Sequence, residues 1–204
     1  MSQLSMFGGG DLALDATFAS AQRRDLDAAS WIEHVPGWIS GNEKLLESVV
    51  AKSSFTQRKR WMFTQYVDEP RLTGECLDIG AHAEPFLAKI AAALSERYGV
   101  RYDGIWMNLY RDERDGTSWH GDPSLQRGTA IVPVLSLGAT RRFLLRSRAG
   151  GRSIIIAPSG GDLVVMGGWC QVDWQHCVPK QTRPAGIRVS LNFQSSSQMH
   201  GAAR

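Results

Sequence analysis

The chain has 204 residues, 43% of them hydrophobic, and a formal net charge of +3. This length supports one sizeable core and is short for two, so we expect a single domain. The cysteines Cys76, Cys170 and Cys177 have no close Cys-x-x-Cys spacing, which excludes a zinc knuckle or a disulfide framework and favours a reducing compartment. The N-terminal stretch has no apolar run of signal-peptide or membrane-spanning length. We therefore expect a soluble, cytoplasmic protein with no membrane contact and no obligate protein partner.

Charge is unevenly distributed along the chain. Residues 1–122 contain 13 basic and 18 acidic residues, a net charge of −5, whereas residues 123–204 contain 10 and 2, a net charge of +8. Residues 123–161 contain no acid and six arginines: Arg127, Arg141, Arg142, Arg146, Arg148 and Arg152. Such a half can attract a polyanion, although it is equally compatible with an ordinary solvated basic face.

The N-terminal half predicts few regular elements. Residues 1–30 show little periodicity, so we expect a loose lead-in, followed by the main domain over residues 31–204. The segment SWIEHVPGWIS predicts a strand broken at Pro36-Gly37. Ser40 and Glu43 have the spacing of a capping box and predict the start of a helix.

The rest of the chain predicts one clear helix and then a β domain. The helix begins near Pro85 and ends at Gly99, with apolar residues at helical spacing between them. From residue 102 the pattern changes to short strands rich in β-branched and aromatic residues: IWMNLY, TSWH, AIVPVLSL, RRFLLR, RSIIIA, DLVVMG and IRVSLNF. The predicted fold class is mainly β with flanking helices (α+β), a jelly-roll core over residues 102–194 with the helices packed outside.

A basic triplet, residues 58–60, directly precedes Trp61, Met62 and Phe63. Arginine and lysine suit phosphate, and an aromatic face can stack on a base for about 1–3 kcal/mol. On composition alone the ordinary alternative is favoured, a solvated triplet followed by core aromatics.

His120 and Asp122 are two residues apart, so on an extended strand both side chains project from one face. His176 is the best candidate for a third ligand among the five histidines, because it also lies among the C-terminal strands. Two imidazoles and one carboxylate on one side of an ion are the arrangement of non-haem Fe(II) oxygenases. The sequence therefore predicts an iron site with open positions for a co-substrate and dioxygen.

Arg188, in the last predicted strand, supplies a positive fork suited to a carboxylate. Asn108 and Tyr110, two apart on another strand, supply polar groups on one face. A dicarboxylate such as 2-oxoglutarate could bind the metal at one end and pair with Arg188 at the other.

The segment WMNLYRDERDGTSWHGD, followed by VLSLG, GDLVVMGG, WQHCVPK and RVSLNF, resembles the AlkB-type alkylation-repair dioxygenases, over about residues 58–194. The resemblance implies a double-stranded β-helix, with Fe(II) bound by His120, Asp122 and His176. It also implies that 2-oxoglutarate binds near the strand residues Asn108, Tyr110, Arg188, Ser190, Asn192 and Gln194, and that His120, Asp122, His176 and Arg188 carry catalysis.

The implied reaction is oxidative demethylation of N-alkylated bases of the 1-methyladenine or 3-methylcytosine type in DNA or RNA. 2-Oxoglutarate and dioxygen are consumed, succinate and carbon dioxide form, and the methyl group leaves as formaldehyde. Residues 58–73 are similar to the family's nucleotide-recognition lid. This similarity makes candidate substrate contacts of residues at the lid and beside the His-x-Asp pair: Trp61, Phe63, Gln65, Trp119 and Ser124.

Three positions depart from the family pattern. Gln194 stands where a second arginine is common, Pro123 and Ser124 stand where an acidic residue is common, and Ser190 replaces a frequent asparagine. The missing acid motivates an alternative in which the same chemistry acts on a protein side chain or a small molecule. A further alternative is a non-catalytic nucleic-acid-binding β-barrel module.

Overall fold

The computed structural model describes residues 10–62, 64–122, 125 and 128–200. In chain order its elements are β1 (Ala13–Leu14), β2 (Gln22–Asp25), β3 (Ser30–Val35), β4 (Ile39–Ser40), α1 (Asn42–Lys52), β5 (Thr56–Met62), β6 (Gln65–Cys76), a 3-10 turn (Ile79–Ala81), α2 (Phe86–Tyr98), β7 (Gly104–Tyr110), β8 (Thr117–His120), β9 (Ala130–Gly138), β10 (Phe143–Ser147), β11 (Ile154–Ile156), β12 (Leu163–Gly168), α3 (Cys170–Asp173), β13 (Trp174–Val178), β14 (Arg188–Gln194) and α4 (Ser196–His200).

Two antiparallel sheets form the body of the protein. The major sheet has the strand order β2-β3-β12-β9-β14-β7-β6-β5, and the minor sheet has the order β11-β10-β13-β8. β1 and β4 form a separate two-stranded pair. The predicted double-stranded β-helix is confirmed, because antiparallel strands of the C-terminal half alternate between two facing sheets.

Alternation along the strands builds two hydrophobic cores on opposite faces of the major sheet. On β7, Ile105, Met107 and Leu109 belong to the core that also contains the buried faces of α1 and α2. Tyr110 belongs to the second core, which lies between the sheets and includes Phe143 and Leu145 of β10. Successive side chains of a strand point to opposite faces, so the even-numbered residues of β7 face the space between the sheets.

The two helices lie close to where the sequence predicts them. α2 begins after Pro85 and ends at Gly99, whose φ of 66° is the left-handed cap that glycine adopts readily. The predicted capping box at Ser40 is wrong. Gly41 is the N-cap of α1, without a side-chain cap, and Ser40 belongs to β4, from where its Oγ donates to the carbonyl of Asp11 at 3.0 Å.

The described part of the N-terminal segment is more ordered than the sequence predicts. β2 pairs with β3 at the edge of the major sheet, and Phe18 is buried in the helix-side core, stacked on Trp38 with 5.1 Å between ring centroids. The short apolar and β-forming stretches here carry little periodicity of their own, and the neighbouring strand supplies their hydrogen bonds. Across the described residues, no helix combines the length and hydrophobicity needed to cross a lipid bilayer.

Candidate active site

The central pair of strands, β7 and β14, presents a row of polar residues to the space between the sheets. Their register pairs Tyr110 with Arg188 and Asn108 with Ser190. Val189, Leu191 and Phe193 of β14 are buried in the helix-side core. The intervening residues of β14 therefore face the inter-sheet space: Arg188, Ser190, Asn192 and Gln194. The predicted co-substrate residues thus share one wall.

Arg188 is the most unusual residue of this wall, because its guanidinium is 2% exposed and only partly paired. Its Nη2 donates to Ser136 Oγ at 2.9 Å, and its Cζ lies 5.1 Å from the centre of the Tyr110 ring. Within the described residues, Nε and Nη1 are buried without a hydrogen-bond partner. A buried positive charge with unpartnered N–H donors is suited to an anion such as a carboxylate.

A second buried arginine reinforces the positive character of this wall. Arg141 Cζ lies 5.6 Å from the Tyr110 ring centre, so Tyr110 lies close to two guanidinium groups. Burial lowers the pKa of Arg188, Tyr110 opposes that effect, and the nearby Arg141 charge lowers the pKa further. An anion bound here would relieve this repulsion.

Asn108 is held by a network of protein groups. Its Oδ1 accepts from Arg71 Nε at 2.9 Å and from Trp106 Nε1 at 3.3 Å, and its Nδ2 donates to Ser190 Oγ at 3.3 Å. Asn192 Nδ2 donates to the Trp106 carbonyl at 2.9 Å. The amides on this wall are therefore oriented before any ligand binds.

The minor sheet brings two of the predicted metal ligands together. His120 on β8 and His176 on β13 are register partners, and their ring centroids are 4.4 Å apart. His120 Nδ1 lies 2.8 Å from the Ser118 carbonyl oxygen. A carbonyl can only accept, so Nδ1 carries the proton in the neutral ring and the lone pair is on Nε2. This tautomer leaves Nε2 free to bind a metal ion.

Burial favours the neutral form of both imidazoles. It lowers the pKa of His176 to about 3, with a further contribution from the neighbouring His120. Burial also lowers the pKa of His120; the Ser118 hydrogen bond and Asp122 oppose this shift, and the cations Arg71 and Arg60 add to it. Neutral imidazole is the form that binds metal.

Asp122 lies two residues beyond His120, after the end of β8. Its backbone N–H donates to Gln171 Oε1 at 2.9 Å, and its charge acts on His120. Among the residues described, no group of three His, Cys, Asp or Glu side chains is close enough together to hold a metal ion. The structure thus brings the two histidines together but does not assemble the complete predicted triad.

The β5–β6 hairpin lies at the edge of the major sheet beside β7. Trp61 and Tyr66 pack edge to face with 5.0 Å between ring centroids, and they are 58% and 68% exposed. The core alternative for Trp61 is therefore wrong. Gln65 is also exposed, at the beginning of β6. The pairing of β5 with β6 shifts register between Gln57 and Lys59. At this irregularity the Arg58 guanidinium lies 4.3 Å from the centre of the Trp106 ring.

Trp119 is the one further predicted substrate contact among the residues that the structure describes. Trp119 neighbours His120 on β8 and so faces the opposite side of the minor sheet. Phe63 and Ser124 lie outside the described residues.

Sequence reasoning missed the residues that support the site. Ser136 is paired with Ser190 across β9 and β14, and Gln171 is 1% exposed on α3. Arg71 reaches Asn108 from β6. Period-two alternation along β9 could have placed Ser136 on the site face, but the contacts of Arg71 and Gln171 depend on which elements are neighbours.

Comparisons with known proteins agree with this architecture. A family model, the 2OG-Fe(II) oxygenase superfamily, matches residues 17–200. Human alpha-ketoglutarate-dependent dioxygenase alkB homolog 3 is 31% identical over 184 residues, covering 78% of this chain and 64% of that protein. The chain therefore matches somewhat less than two thirds of that relative. The DNA oxidative demethylase ALKBH2 of Arabidopsis thaliana is 28% identical over 120 residues, covering 47% of this chain and 38% of that protein.

A solved structure supports the fold independently of sequence. A prolyl hydroxylase from Trichoplax adhaerens, in complex with a hypoxia-inducible-factor peptide fragment, superposes with a TM-score of 0.60 at 10% identity. The match covers 85% of this chain and 87% of that one. The family match over most of its length shows that the chain belongs to the 2OG-Fe(II) oxygenase superfamily.

Proposed function

We propose that this protein is an Fe(II)- and 2-oxoglutarate-dependent dioxygenase that oxidatively demethylates N-alkylated bases in DNA or RNA. The observation that carries the proposal is the buried, half-paired Arg188 facing the space between the sheets, with the neutral His120–His176 pair on the minor sheet. The names of the AlkB-like relatives include a dioxygenase and a DNA oxidative demethylase, which supports the reaction class.

His120, His176 and Asp122 would hold the iron. The chemistry of the two imidazoles fits, because the Ser118 carbonyl leaves the Nε2 lone pair of His120 free and burial favours the unprotonated form of both rings. Asp122 would add the one negative charge of the set. When bound, Fe(II) supplies the activation of dioxygen that oxidises an N-methyl group.

Arg188 would bind the distal carboxylate of 2-oxoglutarate through its guanidinium, whose Nη2 also donates to Ser136 Oγ. The Tyr110 ring packs beside this guanidinium, and the Asn108 network fixes the adjoining wall. Ser190, Asn192 and Gln194 would complete the wall along β14. A wall already organised by hydrogen bonds binds its ligand with little further ordering cost.

The β5–β6 hairpin would hold the nucleic-acid substrate. Trp61, with Tyr66 against it, offers an exposed ring for stacking, and the basic residues 58–60 suit the phosphate backbone. Gln65, at the beginning of β6, belongs to the same hairpin. The target base must leave its stack to reach the space between the sheets.

The test is incubation with Fe(II), 2-oxoglutarate, ascorbate and oligonucleotides carrying 1-methyladenine or 3-methylcytosine, followed by mass spectrometry. We expect a loss of one methyl group's mass that requires both iron and 2-oxoglutarate. Succinate formation without consumption of any methylated base would reject the nucleic-acid substrate and support the protein or small-molecule alternative.

A further inference from the structure

Trp119 and Arg146 lie together on the outer face of the minor sheet. The row Leu145, His176 and His120 crosses β10, β13 and β8, and Leu145 is fully buried in the inter-sheet core. The residues adjacent to this row must point the other way. In agreement, the Arg146 guanidinium lies 4.1 Å from the centre of the Trp119 ring.

Arg142 is exposed and directly precedes β10, four residues before Arg146. Cys177 alternates with the inward-facing His176, so its thiol is directed to the outer side. Burial raises the pKa of the Cys177 thiol, and the charges of Arg146 and Arg142 oppose that shift. We call the surface formed by Trp119, Arg142 and Arg146 the outer arginine face.

The charge of this face is not neutralised by carboxylates. Arg148 and Arg152 are exposed in the turn between β10 and β11, at one end of the minor sheet. Within the part of the chain that the structure describes, no carboxylate forms an ion pair with Arg142, Arg146, Arg148 or Arg152. The bordering acid is Asp173, whose backbone carbonyl accepts from the Arg148 N–H at 2.8 Å.

The outer arginine face is continuous with the candidate active site. β8 is the edge strand of the minor sheet, and its consecutive residues Trp119 and His120 face outward and inward. A strand that places one base near His120 can therefore pass over β8 onto this face. Four strands about 4.8 Å apart span about 14 Å, which gives this face room for more than one phosphate of a single strand.

We propose that the outer arginine face binds the backbone of a single-stranded nucleic acid outside the catalytic space, as an extension of the substrate site. This inference rests on the proposed function. The guanidinium groups of Arg142 and Arg146 contact phosphates, and the Trp119 ring packs under the Arg146 guanidinium and holds it in place. Sequence-independent affinity for the strand flanking the damaged base is the consequence.

The test measures, by fluorescence anisotropy, how tightly the full chain binds a long, unmodified single-stranded oligonucleotide at several salt concentrations. Each phosphate contact on a single strand contributes about −0.7 to the slope of log K against log salt concentration. We expect Arg142→Ala with Arg146→Ala to bind more weakly at low salt. Two lost contacts should make the slope shallower by about 1.4.

The matched control is Lys44→Ala with Lys89→Ala, which removes the same charge from exposed positions on α1 and α2, behind the major sheet. Circular dichroism verifies that each variant is folded. If the Arg142→Ala/Arg146→Ala variant does not fold, Arg142→Gln with Arg146→Gln, which removes the same two charges but keeps polar side chains of similar reach, tests the same prediction. A slope unchanged from wild type, or changed equally by the control, overturns the proposal.

The outcomes separate this proposal from the proposed function. Demethylation by the wild-type protein together with an unchanged slope in the variant would reject only the outer arginine face. A shallower slope in the variant, with no methylated base consumed by the wild type, would support the face and reject demethylation.

Discussion

Replacing Arg188 with methionine gives the sharpest test of the co-substrate site. The substitution keeps much of the side-chain volume but removes a guanidinium whose Nε and Nη1 are buried and unpartnered within the described residues. Removing one partner of a buried charge pair costs about 2–5 kcal/mol of binding free energy. At about 1.4 kcal/mol per tenfold, the Kd for 2-oxoglutarate should rise by about 30-fold to 4,000-fold.

The assay is anaerobic titration calorimetry with 2-oxoglutarate in the presence of Fe(II), so binding is measured without turnover. Arg141→Met is the matched control, because Arg141 is equally buried beside Tyr110. Its Nη1 and Nη2 already donate to the backbone carbonyls of Asp112, Asp115 and Pro179. Arg141→Met should lower the folding stability, because it leaves those carbonyls without a donor. It should lose less affinity for 2-oxoglutarate than Arg188→Met does. Wild-type affinity in Arg188→Met, or a greater loss in Arg141→Met, would refute the assignment.

Three further predictions concern the metal, the co-substrate wall and stability. Asp122→Ala should abolish turnover and weaken iron binding in equilibrium dialysis, whereas Asp173→Ala, an exposed carboxylate, should do neither; normal turnover in Asp122→Ala would show that another carboxylate is the ligand. Gln194→Arg, measured by succinate formation, should keep or raise activity, and a large loss would assign this position a different role. Asp162 is buried, which raises its pKa, but hydrogen bonds with His34 and backbone N–H groups outweigh burial and lower the pKa below 3.8. The ionised Asp162 therefore stabilises the fold above pH 3.8, and this stabilisation is lost as the pH falls through the lowered pKa. Asp162→Asn should reduce the free energy of unfolding in urea by about 1–3 kcal/mol at pH 7, and by progressively less in more acidic buffer. A loss that does not change with pH would contradict this ionic origin.

The sequence determined the strands of the barrel and the face that each site residue occupies. Because side chains alternate along a strand, the spacing of Asn108 and Tyr110 placed both on one side, and the same alternation applies along β14 from Arg188. The resemblance of the motifs to AlkB-type enzymes then indicated a double-stranded β-helix, which the fold confirms. The bounds of α2 could also be predicted from the sequence, because the preferences for proline at a helix start and glycine at a helix end arise from the local backbone conformation.

Where local signals competed with tertiary contacts, the sequence was insufficient. Ser40 has capping-box spacing, but pairing within β4 takes its hydroxyl to the Asp11 carbonyl. β2 has weak strand character of its own and forms on the edge that β3 offers.

The site itself also required the tertiary structure. The sequence does not distinguish the six arginines of the acid-free stretch from one another. In the structure, Arg141 is buried and donates to backbone carbonyls, whereas Arg146 stacks on Trp119 on the outer face of the minor sheet. β8 and β13 are far apart in the sequence, yet they pair in the minor sheet, and this pairing brings His176 to His120. Sequence spacing fixes the direction of a side chain within its own strand, whereas the neighbours that give it a charge state, a partner or a ligand are set by how strands pair across the fold.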